Sequence, residues 1–334
     1  MNNQLKINSE SKIFVACPAN LATGGPELLH QLVYELNNLK IDAFMYYFNA
    51  SDRYPVHNAY EKYKNPYVNN ISDNVNNILI VPETKTFLLK DFKKVQKVIW
   101  WLSVDNYYGK FLSTNPLKKL VKRLLYYIGK YDYHFERDKS LFHFVQSEYA
   151  RNYLKSKNIK NIMYLSDYLN LYFIEGQQQK SVNFEKKNIV IYNPKKGFKF
   201  TQEIINQAKN ITFIPIKDMT KEEVSKLLLS AKLYIDFGNH PGKDRIPREA
   251  SISGCCLITS KRGSAGFYDD VPIPDRFKFE DKKKCIPAII EMIENILADY
   301  QKYRGYFDLH RDMIIKEHDV FIEDIKKIFV KTIN

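Results

Sequence analysis

The sequence predicts an α/β protein with two parallel-sheet domains, and three observations carry that prediction. Short apolar strand-like runs alternate with helical stretches along most of the chain, the pattern of parallel strands joined by helical crossovers. The alternation pauses over residues 171–187, which lack clear periodicity, and starts again at Asn188. With 334 residues, 45% of them hydrophobic and 14% aromatic, the chain has the length and core material for two domains of ordinary size.

The first strand is expected over residues 12–17. It leads through a loop into a helix over 26–39, with Leu29, Leu32, Val33 and Leu36 on one face. Gly24 and Gly25 stand at this loop-to-helix junction, where missing side chains let backbone approach a ligand; a Gly-Gly-Pro turn is also a common structural device. Further strand-like runs cover 41–48, 77–81, 97–104, 142–146 and 161–165. Ligands of open parallel sheets collect at the carboxyl ends of strands, which singles out Glu83, Asp105 and Glu148. A carboxylate there can take a proton from a hydroxyl if burial raises its pKa, or it can be a first-turn helix acid; Asp105 and Glu83 are the candidate bases.

Residues 115–130 form a basic amphipathic helix. Leu117, Leu120, Val121, Leu124, Leu125 and Ile128 fall at helical spacing, while Lys118, Lys119, Lys122 and Arg123 fill much of the circumference without an acid. Such a helix either packs its stripe on the sheet and solvates its charges, or lies on an anionic membrane surface.

The second series opens with a strand over 188–192, the turn Asn193-Pro194-Lys195-Lys196-Gly197, and a helix from about Phe200. A strand over 211–216 and a loop ending at Met219 follow. The next helix begins with a capping box, Thr220 with Glu223 three residues on, and shows an apolar face of Val224, Leu227, Leu228 and Ala231. Next come a strand over 233–237, a helix over 247–253 closed by Gly254, and a strand over 255–259. The loop before this helix gathers Gly238, His240, Gly242, Lys243, Asp244 and Arg245 ahead of Pro247, a residue suited to the first helical position. Free helix N–H groups and cations then face one small volume, as a phosphate or pyrophosphate requires. Glu249, one turn in, is placed to accept hydrogen bonds from a vicinal diol such as a ribose. His240 is a third candidate for the proton. Lys261 and Arg262, among small residues in the loop 260–266, can fold over phosphates, and two helical stretches, 282–304 and 309–330, end the chain.

At these residues the chain resembles the GT-B glycosyltransferases, in particular the glycogen-synthase-like group, whose donor site reads E-x7-E followed by A-x3-G-x-x-V/L-I. Glu249-Ala250, Gly254 and Leu257-Ile258 match the second half, and Gly242 matches the glycine after the first Glu, whose own place is taken by Pro241. The resemblance covers 188–266 well and the first 40 residues loosely. It implies two Rossmann-like parallel-sheet domains facing across a cleft: 1–170 for the acceptor, a linker 171–187, 188–305 for the nucleotide sugar, and 306–334 as a helix crossing back. It further implies that Lys196, beside Lys195, meets the donor diphosphate with Lys243 and Arg245, that the loop at Met219 holds the base, and that Gly24 and Gly25 lie beside the donor phosphates. The activity implied is transfer of a sugar from a nucleoside diphosphate sugar to a glycan or lipid-linked acceptor, with no cofactor. No Asp-x-Asp stands in the sequence to hold a metal, and the cations with the helix N-terminus can stabilise the leaving diphosphate.

A formal net charge of +13 implies an anionic partner or reflects a Lys-, Asn- and Tyr-rich compositional bias. Nucleic acid is disfavoured by the lack of a helix-turn-helix, zinc-finger or aromatic RNA-binding signature. Cys17, Cys255, Cys256 and Cys285 show no C-x-x-C spacing and read as reduced, mostly buried thiols. With no signal peptide and no apolar span of membrane length, the expected location is the cytoplasm, at the inner face of the plasma membrane if the basic helix is interfacial. Rival readings are a binding subunit of the same fold that has lost catalysis, and a nucleotide-sugar epimerase.

Overall fold

A computed structural model describes residues 4–50, 54–109, 116–127, 133–181 and 185–330. Its contacts divide the chain into Met1–Asp167 with Asp319–Asn334, and Tyr168–His318.

In the first unit the chain runs β1 (Ile13–Pro18), α1 (Gly24–Asn38), β2 (Ala43–Phe48), β3 (Tyr67–Val68), β4 (Ile78–Pro82), β5 (Gln96–Trp101), α2 (Val104–Gly109), α3 (Pro116–Tyr127), β6 (Phe142–Val145), α4 (Glu148–Ser156) and β7 (Ile162–Tyr164). The strands form one parallel sheet in the order β3-β2-β1-β4-β5-β6-β7. Ile13 of β1 pairs with Ala43 on one side and Ile78 on the other, so the order reverses at β1. Being flanked on both sides and covered on both faces, β1 reads as a continuous apolar run and not as an alternation. Trp101 packs against Tyr107, Phe135 and Tyr153, and its Nε1 donates to His143 Nδ1 at 3.0 Å. Trp100 donates to the Leu165 carbonyl at 3.1 Å and stacks on Phe321.

The second unit starts with α5 (Leu171–Ser181), which occupies the stretch expected as a linker and packs on helices of its own unit. Then follow β8 (Lys187–Tyr192), α6 (Phe198–Gln207), β9 (Thr212–Pro215), α7 (Lys221–Ser230), β10 (Ala231–Asp236), α8 (Arg245–Ile252), β11 (Cys256–Ser260), β12 (Lys278–Phe279), α9 (Ile286–Ala298), α10 (Tyr300–Arg304) and α11 (Asp308–Ile325), which belongs to this unit up to His318; from Asp319 on, with the π-helical turn Lys326–Val330, the chain is part of the first unit. The sheet is parallel, in the order β12-β11-β10-β8-β9. Its order reverses at β8, the strand that pairs with both β9 and β10. The capping box of Thr220 and Glu223 is formed at the start of α7. Lys186 Nζ donates to the carbonyls of Leu228, Ala231 and Ser253 at 3.1, 2.9 and 2.6 Å, closing the carboxyl ends of α7 and α8.

Two further expectations are corrected. Helix α8 begins at Arg245, so Pro247 is its third residue; a proline is tolerated there because the N–H it lacks is still one of the unpaired first-turn donors. The helical stretch 282–304 is broken at Asp299, whose carboxylate accepts from Lys302 N and caps α10. The basic helix runs Pro116–Tyr127; Asn115, Ile128 and Lys130, and the side chains of Lys119 and Arg123, lie outside the described residues. All four cysteines are free, Cys285 half-buried and the others buried.

Candidate functional site

In the second unit, the strand order reverses where β8 and β10 lie side by side, and their carboxyl ends carry the turn 193–197 and the loop 237–244. The two segments fit together only because both contain glycine. A Cβ on Gly238 would stand 2.3 Å from Lys196 Cβ, and one on Gly197, whose φ is +55°, would stand 2.3 Å from the Phe237 carbonyl oxygen. From the other side, Ser260 Oγ donates to Gly238 O at 3.0 Å, Ser264 N to His240 O at 2.9 Å and Ser264 Oγ to Gly242 O at 2.6 Å. The loop is therefore held on both flanks.

Inside it lies a buried polar network. Asp236, the last residue of β10, accepts from Tyr234 OH at 2.9 Å and from Gly238 N at 3.1 Å. His240 Nδ1 is 3.1 Å from Asp244 Oδ2, and its Nε2 is 3.7 Å from Asp236 Oδ1. Lys196 Nζ reaches the same Asp244 oxygen at 2.6 Å. Burial opposes a charged imidazole, yet the Asp244 hydrogen bond and the two nearby carboxylates outweigh it and raise the His240 pKa. Burial likewise opposes the Asp244 carboxylate, but His240 and Lys196 hold its pKa below the ordinary value. Asp236, His240 and Asp244 form the one group of metal-ligand character among the described residues, with donor atoms within 4.8 Å of one another. The Lys196 ammonium on Asp244 makes the arrangement an ion-pair network and repels a cation there.

The remaining cations of the loop also face carboxylates. Lys243 Nζ lies 3.1 Å from Glu317 Oε1, and Arg248 NH1 donates to Glu317 Oε2 at 2.7 Å, so a residue of α11 pins the start of α8. Arg245 Nε pairs with Glu249 Oε1 at 2.8 Å across one helical turn. His310 is buried nearby; burial, with the charges of Arg248, Lys243 and Arg311, pushes its pKa down to about 3 and keeps it neutral.

Of the residues singled out from sequence, Lys196, His240, Lys243, Arg245 and Glu249 thus share one network or its immediate flank, but each cation has a carboxylate partner in place of standing open to an anion. Lys195 is exposed beside them, its backbone N–H bonded to Asn193 Oδ1, and Met219 is exposed in the β9–α7 loop. The other four lie in the first unit. Gly24 begins α1 with no atom within 4 Å of a built Cβ, and Gly25 meets only Leu102 Cδ1 at 3.8 Å, so the fold itself does not need glycine at either position. Glu83, buried just after β4, accepts from Leu102 N at 3.0 Å, and Asp105 in the first turn of α2 accepts from Tyr149 OH at 2.8 Å. Asp236, Arg248, His310 and Glu317 were not visible from sequence. Asp236 reads there as a strand end, and Arg248, His310 and Glu317 as ordinary helix residues.

No family model matches the sequence, and no curated protein matches it. Solved structures do match the fold. Sucrose-phosphate synthase from Thermosynechococcus elongatus aligns with a TM-score of 0.61 at 12% identity over 96% of this chain and 99% of that one. HepE from Anabaena, solved in complex with UDP-glucose, aligns at 0.56 and 10% identity over 95% and 98%. WaaG, a glycosyltransferase involved in lipopolysaccharide biosynthesis, aligns at 0.56 and 12% over 95% and 99%. The fold is GT-B. In this GT-B chain the glycine-locked loop and its ion pairs sit at the carboxyl ends of the second unit's strands, at the reversal of strand order, where open α/β sheets bind ligands.

Proposed function

We propose that the chain is a glycosyltransferase that takes a sugar from a nucleoside diphosphate sugar to a hydroxyl acceptor in the assembly of a bacterial surface polysaccharide or glycoconjugate. One observation carries the reading: Lys196, from the β8 turn, meets the loop ahead of α8 through Asp244, directly before a helix that carries the buried Glu249 one turn in. Lys196, with Arg245 and Lys243, would hold the diphosphate, Glu249 the ribose, and the loop at Met219 the base. Two of the fold relatives, HepE and WaaG, point the same way: HepE was solved with UDP and with UDP-glucose, and WaaG acts in lipopolysaccharide biosynthesis. The direct test is turnover of UDP-sugars with purified chain and saccharide acceptors. Pro241, in place of an acid next to His240, favours a second reading, a subunit that binds nucleotide without turning it over. UDP binding without hydrolysis or transfer would select it.

Glu83 and Asp105 remain the candidate bases in the first unit. Each amide variant is expected to lower turnover at saturating donor by about 10²- to 10⁴-fold if its carboxylate takes the acceptor's proton. If neither slows the reaction tenfold, both are structural, Glu83 as the acceptor for Leu102 N and Asp105 for Tyr149, and His240 is next in line.

The acceptor side of the proposal includes a membrane surface. No helix among the described residues is long and apolar enough to cross a membrane. Helix α3, however, exposes Leu117, Leu120, Val121 and Leu124 to between 52% and 73%, on a segment that carries four basic residues and no acid. Exposed apolar side chains on a segment rich in basic residues suit an anionic lipid surface, which takes the former into its interface and attracts the latter. The protein is expected to sediment with anionic vesicles at low salt, and a variant with Lys118, Lys119, Lys122 and Arg123 changed to Gln is expected to stay in solution. Undiminished binding by that variant would reduce the charges to a solvated face.

A further inference from the structure

A cavity of about 450 Å³ opens beside the turn that carries Lys196, lined among others by Phe198, Phe200 and Glu203 of α6, Arg262 after β11, and Asp281 and Lys283 after β12. We infer that it takes a sugar ring, held on the face of Phe198 and by hydrogen bonds to Asp281. The Asp281 side chain is only 5% exposed, and its Oδ2 receives Arg262 Nε at 3.0 Å. Its Oδ1 is buried without a hydrogen-bond partner, an acceptor that the fold leaves for a ligand's donor. Burial raises the Asp281 pKa to about 6, so at neutral pH the unsatisfied oxygen belongs to a carboxylate.

Phe198 supplies the second half of the site. It is 45% exposed, and its ring lies nearly parallel to that of Tyr192, centroids 6.4 Å apart and planes 16° from each other. An aromatic ring held flat from behind offers its face to the C–H side of a pyranose, an arrangement in which apolar contact and polar selectivity come from opposite sides of one ligand. The charges argue for a hydroxylated ring over an ion. Lys283 pairs with Glu203 at 3.3 Å and Arg262 with Asp281, and Lys199 adds one further donor, so the walls alternate donors and acceptors. Gly197 lines the cavity and is the residue next to Lys196, so a sugar here adjoins the proposed diphosphate position. Two ligands bring that chemistry, the sugar of the donor and a sugar of the acceptor glycan. The inference deepens the glycosyl-transfer reading and rests on it for the choice of ligand.

The test uses the whole chain, as wild type and as Phe198→Ala and Asp281→Ala, with urea unfolding to confirm that each variant folds; Phe198 is exposed enough that its variant serves if the other does not. Titration calorimetry with UDP and UDP-glucose is set beside saturation-transfer NMR with glucose, galactose, N-acetylglucosamine and glucuronic acid. If the cavity holds the donor sugar, both variants are expected to bind UDP-glucose at least tenfold more weakly and UDP as before. If it holds an acceptor sugar, the variants lose the free-saccharide signals while both nucleotides bind unchanged. Saccharide signals that depend on Phe198 and Asp281 in a protein that fails to bind UDP would sink the nucleotide assignment and leave the cavity's. Wild type and variants with equal affinity for every sugar-bearing ligand, or a wild type that binds none of them, overturn the inference.

Discussion

Glu249→Ala is expected to weaken UDP binding by roughly 10- to 10³-fold. A carboxylate accepts from both hydroxyls of a ribose, and each hydrogen bond to a charged group is worth about 1.5 to 3 kcal/mol, with about 1.4 kcal/mol for each tenfold in affinity. The geometry sharpens the test, because Glu249 is buried and pairs with Arg245 at 2.8 Å across one turn. As a structural pair alone, that contact would contribute about 0.2 to 0.5 kcal/mol of helix stability and nothing specific to a ligand. Lys196→Ala provides the contrast. It removes a cation from Asp244 and is expected to weaken UDP by about 10- to 100-fold, by the same worth of a charged hydrogen bond, while uridine is hardly affected. Titration of wild type and both variants with UDP and uridine separates ribose from diphosphate. A folded Glu249→Ala protein that binds UDP as tightly as wild type ends the assignment.

The largest stability effect is expected from Gly263→Ala. Gly263 has φ of +55°, and a Cβ there would stand 2.0 Å from the His240 carbonyl oxygen, a backbone atom that cannot turn aside. The left-handed conformation costs a non-glycine residue about 1 to 2 kcal/mol, and overpacking a tight contact typically costs about 1 to 3 kcal/mol more. Because the clash falls on the loop that bears His240 and Asp244, nucleotide affinity should fall together with stability. Gly24→Ala is the control. No atom lies within 4 Å of its Cβ and it sits in the first turn of α1, so urea unfolding should show a change within about 0.5 kcal/mol of zero. Equal unfolding midpoints for the two variants would mean that the close approach at Gly263 is not a constraint.

The parts of the fold that were legible in the sequence are those written in local periodicity. Strands such as β1 and β4 are unbroken apolar runs because both faces are covered, and α7 is announced by Thr220 and Glu223 before any packing is known. The edge strands β3 and β12 were not legible, since two residues carry no period and owe their pairing to β2 and β11. Helix α5 was read as a linker because its polar Gln-rich sequence has little amphipathic contrast, and its position is decided by packing. At the candidate site the cations could be read from the loop, but their partners could not. Asp244 meets Lys196 from another strand's turn, and Glu317 reaches Lys243 and Arg248 from a helix far along the chain. The loop therefore looked like a cluster of free positive charge, whereas in the folded chain an incoming diphosphate must share or exchange carboxylates for its cations.

The chain has two tryptophans, Trp100 and Trp101, side by side in β5 and both fully buried in the first unit. Intrinsic indole fluorescence is thus a signal from one half of the molecule alone. Emission should be shifted to the blue in the native protein and should move to the red only when the seven-stranded sheet opens, with Phe321 of the returning helix parting from Trp100 in the same event. The half that carries Lys196 and Glu249 emits only through tyrosine, so loss of its structure is silent at indole wavelengths. A single tryptophan placed there would give it a separate optical label, and the two halves could then be followed through unfolding independently.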